Sequence, residues 1–128
     1  MAAYEGLQKR LSQELEKYKL LQKDFQKTYS LRQQLEGQLN ENNIVKEEMD
    51  LLEPSADVYK LMGPVLVKQD LEEAQQNVAK RIEYITNELK RHDSTLAELE
   101  KKQDAQREAI NKIQQQFQQA QVKAAMKA

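Results

Sequence analysis

Two long stretches of this chain place apolar residues at alternating intervals of three and four, and a short interruption of different character lies between them. In the first stretch the stripe is Tyr4, Leu7, Leu11, Glu14, Tyr18, Leu21, Phe25, Thr28, Arg32, Leu35, Leu39 and Asn42, of which eight of twelve are apolar. In the second it is Leu71, Gln75, Val78, Ile82, Ile85, Leu89, His92, Leu96, Leu99, Gln103, Gln106, Ile110, Ile113, Phe117, Ala120 and Ala124, of which twelve of sixteen are apolar. A repeat averaging 3.5 residues is the seam of a coiled coil, so such a chain buries its apolar groups by laying one helix along another. Composition agrees. With 32% charged and 5% aromatic residues, no Trp, three Gly and two Pro, there are few bulky groups for a thick core and few places to turn the chain.

The first helix is expected to run past Ile44, Val45, Met49 and Leu52 and to stop at Pro54, because a proline ring and its missing N–H end a helix near the preceding residue. Asp70 marks the next helix start, with Glu73 three residues on in a capping-box-like arrangement. Folding the two stripes back on each other gives an antiparallel pair. One trial register sets Leu39 against Val78, Leu35 against Ile82, Leu21 against Leu96, Tyr18 against Leu99 and Leu7 against Ile110, and the polar interruptions Glu14 with Gln103 and Asn42 with Gln75 also meet. Tyr4 then reaches Ile113, leaving Phe117, Val122 and Met126 without partners. A slip of one heptad stays open in this reading.

The interruption, "VYKLMGPVLVKQ", changes period from helical to strand-like. Gly63 and Pro64 are turn residues, and β-branched Val65 and Val67 favour a strand after the turn. Tyr59, Leu61 and Leu66 can project opposite to Val58, Met62, Val65 and Val67, so both faces of the hairpin are apolar. A lone two-stranded hairpin is marginal in water, and its outer edges carry unpaired N–H and C=O groups. Val45, Met49 and Leu52 of the first helix could shield one face, but the chain has no further strand for the edges. The hairpin therefore reads as an assembly element, paired with equivalent hairpins of other subunits; closure into a barrel would remove the edges altogether.

Several function classes are excluded or left without support. Lys and Arg total 20 against 21 Asp and Glu, interleaved along both flanks, which is a solvated helix face rather than a nucleic-acid surface. Cysteine is absent, removing disulfides and thiolate metal sites and fitting a reducing compartment. The start "MAAYEGLQKR" lacks a signal-peptide core, and no run approaches the ~20 apolar residues that span a bilayer; a cytoplasmic protein without membrane contact is expected. No phosphate-binding GxxxxGK[ST] loop occurs, His92 lies on the buried stripe, and the carboxylates sit at ordinary surface spacings. No enzyme activity, catalytic residue, metal site or cofactor is expected.

The segments "ENNIVKEE" (Glu41 to Glu48), "YKLMGPVLVKQ" (Tyr59 to Gln69) and "KRIEYI" (Lys80 to Ile85), in helix–hairpin–helix order, resemble the β-class prefoldin subunits. The resemblance implies a mostly α fold: a two-helix antiparallel coiled coil with a single β-hairpin at the connecting end, joining an intersubunit β-barrel. One domain, 1–128, would comprise a first helix 1–53, a linker and hairpin 54–69, and a second helix 70–128. The family implies a hetero-hexamer of α-class and β-class subunits. It acts without ATP as a chaperone, holding unfolded or nascent proteins such as actin and tubulin at the coiled-coil tips and passing them to the cytosolic chaperonin CCT/TRiC. Val58, Tyr59, Leu61, Met62, Gly63, Pro64, Val65, Leu66 and Val67 would then serve assembly. Leu7, Leu11, Ile110, Ile113, Phe117, Val122 and Met126 are the candidates for client contact, although the first four read more readily as coil core, exposed only as the helix ends fray. A structural coiled-coil adaptor or tether, in which the hairpin is only an elaborate turn, is the alternative.

Overall fold

The computed structural model describes residues 2–127; Met1 and Ala128, the outermost residues of the expected domain, lie outside the described residues. In chain order the elements are α1 (Ala2–Asp50), β1 (Val58–Met62), β2 (Val65–Gln69) and α2 (Leu71–Lys127). No helix is long and apolar enough, among the described residues, to cross a membrane. The chain divides into two compact units, one formed by the sections up to Tyr29 and from Ser94 onward, the other by Ser30–Asp93.

In the first unit the early turns of α1 run antiparallel to the late turns of α2. Ile110 and Ile113 are buried, the latter to 4% exposure, and Leu7, Leu11, Tyr18, Leu21 and Phe25 are half-buried along the α1 stripe that faces this section of α2. The register differs from the trial alignment by up to about one heptad. Gln103 donates from Nε2 to the Leu21 carbonyl at 3.2 Å rather than meeting Glu14, and Gln106 donates to the Glu14 carbonyl at 2.9 Å and also to the Glu14 carboxylate. Tyr4 packs its ring against Phe117, centroids 4.6 Å apart and planes tilted by 34°, rather than meeting Ile113. The physical reason is that an apolar seam recurs every seven residues and fits nearly as well after a slip. Polar and aromatic contacts discriminate where the seam does not.

The second unit holds the hairpin and the helix segments beside it. Met49, Ala74 and Val78 form its buried cluster, with Val58, Leu71 and Ile82 packed against them. Ala74 is off the α2 stripe, yet buried, because Val58 of β1 adds a third partner and widens the covered face of the helix. Here too the slip is one heptad: Gln75 reaches the Met49 carbonyl at 3.3 Å, not Asn42. Arg32 bonds Asp93 and, at 3.0 Å, Glu36 on its own helix.

Every stripe position of α1 from Tyr4 to Asn42 is half-buried, whereas the intervening described residues from Ala3 are exposed. On α2 the stripe is covered from Leu71 to Ala120; Ala124, beside small Ala3, is exposed. α1 ends at Asp50, four residues short of Pro54. Leu51 N–H shares its bond between the Glu47 and Glu48 carbonyls at 3.3 Å, and Leu52 N–H returns to the Met49 carbonyl at 3.2 Å. This tightening into a 3₁₀-like turn satisfies the last carbonyls before the proline is reached. At the start of α2 the Asp70 carbonyl accepts from Ala74 N–H at 2.9 Å, which puts Asp70 in the N-cap position.

Candidate functional site

The hairpin is a two-stranded antiparallel sheet pairing Val58 with Gln69, Tyr59 with Lys68, Lys60 with Val67, Leu61 with Leu66 and Met62 with Val65. Gly63 and Pro64 form the two-residue turn. Gly63 has φ +59°, and proline fixes a negative φ after it, the combination of a type II′ turn whose twist matches the strands. A side chain at Gly63 would be strained even though open space surrounds its Cβ direction.

Strand alternation sets Tyr59, Leu61, Leu66 and Lys68 on one face and Val58, Lys60, Met62, Val65, Val67 and Gln69 on the other. Both are largely uncovered: Leu61 is 69% exposed, and Tyr59, Met62, Val65, Leu66 and Val67 are exposed as well. The shielding expected from α1 is smaller than the sequence suggested. Met49 reaches Val58 at the hairpin base, but Val45 and Leu52 are themselves exposed and cover little of the strands. Leu51, 86% exposed, extends the apolar surface. A shallow depression of about 260 Å³ at the base is lined by Val45, Met49, Val58, Leu61, Val78 and Arg81, among others.

The terminal end of the first unit carries the second group of candidates. Ile110 and Ile113 are buried, Leu7 and Leu11 half-buried, and Phe117 half-buried on Tyr4, so Phe117 has the partner that the trial register denied it. Gln121 donates to the Tyr4 hydroxyl at 3.3 Å. Only Val122 and Met126 of the seven present their side chains openly, Met126 to 83%.

The model of the prefoldin subunit family matches residues 12–117. The chain belongs to that family. It is 56% identical over 117 residues to prefoldin subunit 6 of Mus musculus, covering 91% of this chain and 92% of the relative. Prefoldin subunit 6 of Arabidopsis thaliana is 57% identical over 98 residues, 77% of this chain and 76% of that one. Among solved structures, the prefoldin beta subunit of Thermococcus strain KS-1 matches with TM-score 0.55 at 22% identity, over 87% of this chain and 91% of that chain, a likeness of fold. The single hairpin between two long helices is thus a prefoldin fold of the beta type.

What sequence reasoning missed in this prefoldin subunit is the polar fastening of the coil. Gln75, Gln103 and Gln106 each donate to a main-chain carbonyl of α1, and Gln103 is buried to 8% exposure. Arg107 bonds the Tyr18 hydroxyl at 2.7 Å with its guanidinium 5.6 Å from the ring centroid, and pairs with Asp104 at 3.0 Å. The Gln106 amide, with help from Lys17 and Arg10, holds the Glu14 carboxyl below its usual range against the opposing effect of burial. The polar positions on the α2 stripe were the available signal: a glutamine in a seam must find a partner, and the nearest one common to all residues is a carbonyl. His92, the sole histidine, is mostly covered, with Glu88 one turn earlier at 4.0 Å.

Proposed function

We propose that this prefoldin subunit works, without ATP, as one arm of a hetero-hexameric cytoplasmic chaperone of α-class and β-class subunits. It holds unfolded or nascent proteins, actin and tubulin among them, and delivers them to the cytosolic chaperonin. The observation that carries this reading is the hairpin: two strands, apolar on both faces and largely uncovered, with ladder groups unpaired on both outer edges. Such a ribbon is not stable exposed to water, and strands from neighbouring subunits satisfy edges and faces together, most completely in a closed barrel. Val58, Tyr59, Leu61, Met62, Val65, Leu66 and Val67 are the assembly residues in this reading, with Gly63 and Pro64 fixing the turn.

Client contact falls to the terminal end. Val122 and Met126 are available at once, whereas Leu7, Leu11, Ile110, Ile113 and Phe117 become available as the helix ends open. Each side chain contributes at most ~1.5–3 kcal/mol if fully buried against a client. One arm therefore binds weakly; several arms around one unfolded chain retain it by avidity, and each contact stays easily released.

Mixing the chain with α-class subunits should give a stoichiometric hetero-hexamer by mass measurement, and Leu61→Lys with Leu66→Lys should abolish it. Truncation after Ile113 should leave the hexamer intact while lowering its suppression of client aggregation. A monomer or dimer indifferent to other subunits would refute the assembly reading in favour of a tether, and unchanged suppression would refute the client assignment.

A further inference from the structure

The charges of the chain are unevenly placed. Overall the net charge is -1, but α2 contains no Asp or Glu after Glu108, while Lys112, Lys123 and Lys127 follow it. On the facing first turns of α1 stand Lys9 and Arg10, with Glu5 the single acid before Glu14. The terminal end is therefore cationic, and the remainder of the chain carries the compensating acid excess.

These lysines are not neutralised within the chain. The ion pairs of the first unit lie further in, at Lys17 with Glu14 and Arg107 with Asp104. Among the described residues none of Lys9, Lys112, Lys123 and Lys127 stands in an ion pair. Complementing the negative end of the α2 dipole accounts for Lys127 and in part for Lys123, but that field fades within the last turn. Lys112 stands about four turns earlier, and Lys9 and Arg10 are on the other helix.

The positive groups are set directly beside apolar surface. Val122 and Met126 lie one turn apart on α2, and Lys123 and Lys127 follow each by one residue, giving two apolar and two basic side chains on adjoining strips. A depression of about 340 Å³ is lined by Ala3, Tyr4, Ala120 and Ala124 together with Lys123 and Lys127. A second, of about 430 Å³, shares Lys123 with Val122 and three glutamines.

We propose that this end selects, among unfolded polypeptides, segments in which acidic residues stand next to apolar ones. This refines the client reading above and rests on it. An apolar side chain of the segment fills the Ala/Tyr-lined depression while a neighbouring carboxylate is drawn to Lys123 and Lys127. Lys9, Arg10 and Lys112 raise the local potential and speed encounter more than they hold the complex. Basic segments of equal hydrophobicity are repelled.

The test uses the assembled hexamer with this chain either unaltered or carrying Lys123→Glu and Lys127→Glu. Three labelled unstructured peptides are titrated by fluorescence anisotropy, identical except that the residues beside each leucine are glutamate, glutamine or lysine. The unaltered complex should rank them glutamate, glutamine, lysine, and high salt should erase the ranking. Charge reversal should weaken the glutamate peptide by about three- to tenfold, the range expected for two exposed pairs lost and turned repulsive, and leave the glutamine peptide within about twofold. Equal binding of the glutamate and glutamine peptides, or no response to the reversal, overturns the charge selection while leaving client binding intact. Failure of all three peptides to bind more tightly to the full-length complex than to one truncated after Ile113 overturns the client reading as well.

Discussion

Replacing buried Gln103 with leucine should stabilise the terminal part of the coil. The native amide donates to the Leu21 carbonyl at 3.2 Å, but that carbonyl belongs to the continuous helix α1 and keeps its intrahelical partner when the amide is removed. The loss is thus one net hydrogen bond, about 0.5–1.5 kcal/mol, with no stranded acceptor. Against it stands the exchange of an amide head for two methyl groups at a site 8% exposed. At ~0.8 kcal/mol per buried carbon this contributes about 1.6 kcal/mol. The balance is a gain of about 0.6 kcal/mol, equivalent to roughly threefold rarer opening. Native-state amide exchange on the assembled complex reads that opening residue by residue, and the amides flanking Leu21 and Gln103 should become better protected. Gln103→Ala should do the reverse, since it removes the bond and leaves a cavity. The same Gln103→Leu complex should hold clients less well if residues such as Leu11 and Ile110 act by transient exposure. Reduced protection in the leucine variant would refute the reasoning, because the glutamine bond would then outweigh the apolar gain.

Met49→Ala should cost about 2–3 kcal/mol, the lower part of the range for such truncations, because its cluster with Ala74, Val78 and Val58 borders an open surface depression. Urea unfolding of the complex checks this, and a loss below about 1 kcal/mol would contradict the packing assigned to the hairpin base. Acid should loosen the terminal section of the coil. The folded-state pKa of Glu14 is held below its ordinary value of 4.5, first by the Gln106 amide and then by Lys17 and Arg10, so its stabilisation is present above that value and disappears as pH falls through the lowered one. Amide exchange at graded pH should show this loss near Glu14 and Gln106, and Glu14→Gln should flatten the response there; an unchanged acid profile in that variant would contradict the linkage.

Much of the architecture was legible because one physical constraint acts at every seam position. Tyr4 through Asn42 were identifiable from spacing alone, and all are half-buried, since a helix with one partner can cover only one strip. The hairpin was equally readable: Gly63 and Pro64 admit few turns, and strand alternation then fixes which side chains share a face. Register was not readable, because a heptad pattern superposes on itself after seven residues. What selects among registers is the meeting of particular side chains, Gln106 with the Glu14 carboxylate, Arg107 with Tyr18, Arg32 with Asp93 and Tyr4 with Phe117, which spacing does not reveal. The helix end at Asp50 escaped for a similar reason. Pro54 sets only a limit on how far α1 can go, and the carbonyls of Glu47, Glu48 and Met49 close the helix earlier.

The acceptors of the three glutamine bonds have a consequence for how such a coil can change over generations. Because Leu21, Glu14 and Met49 contribute their peptide oxygens to these bonds, any residue but one that breaks the helix offers the same atom. These bonds therefore fasten the coil without choosing its alignment, and substitutions at Leu21 and Met49 need no matching change on the second helix to preserve them. Paired mutations between those positions should be sparse in the lineage, and the first helix is left freer to diversify than the second.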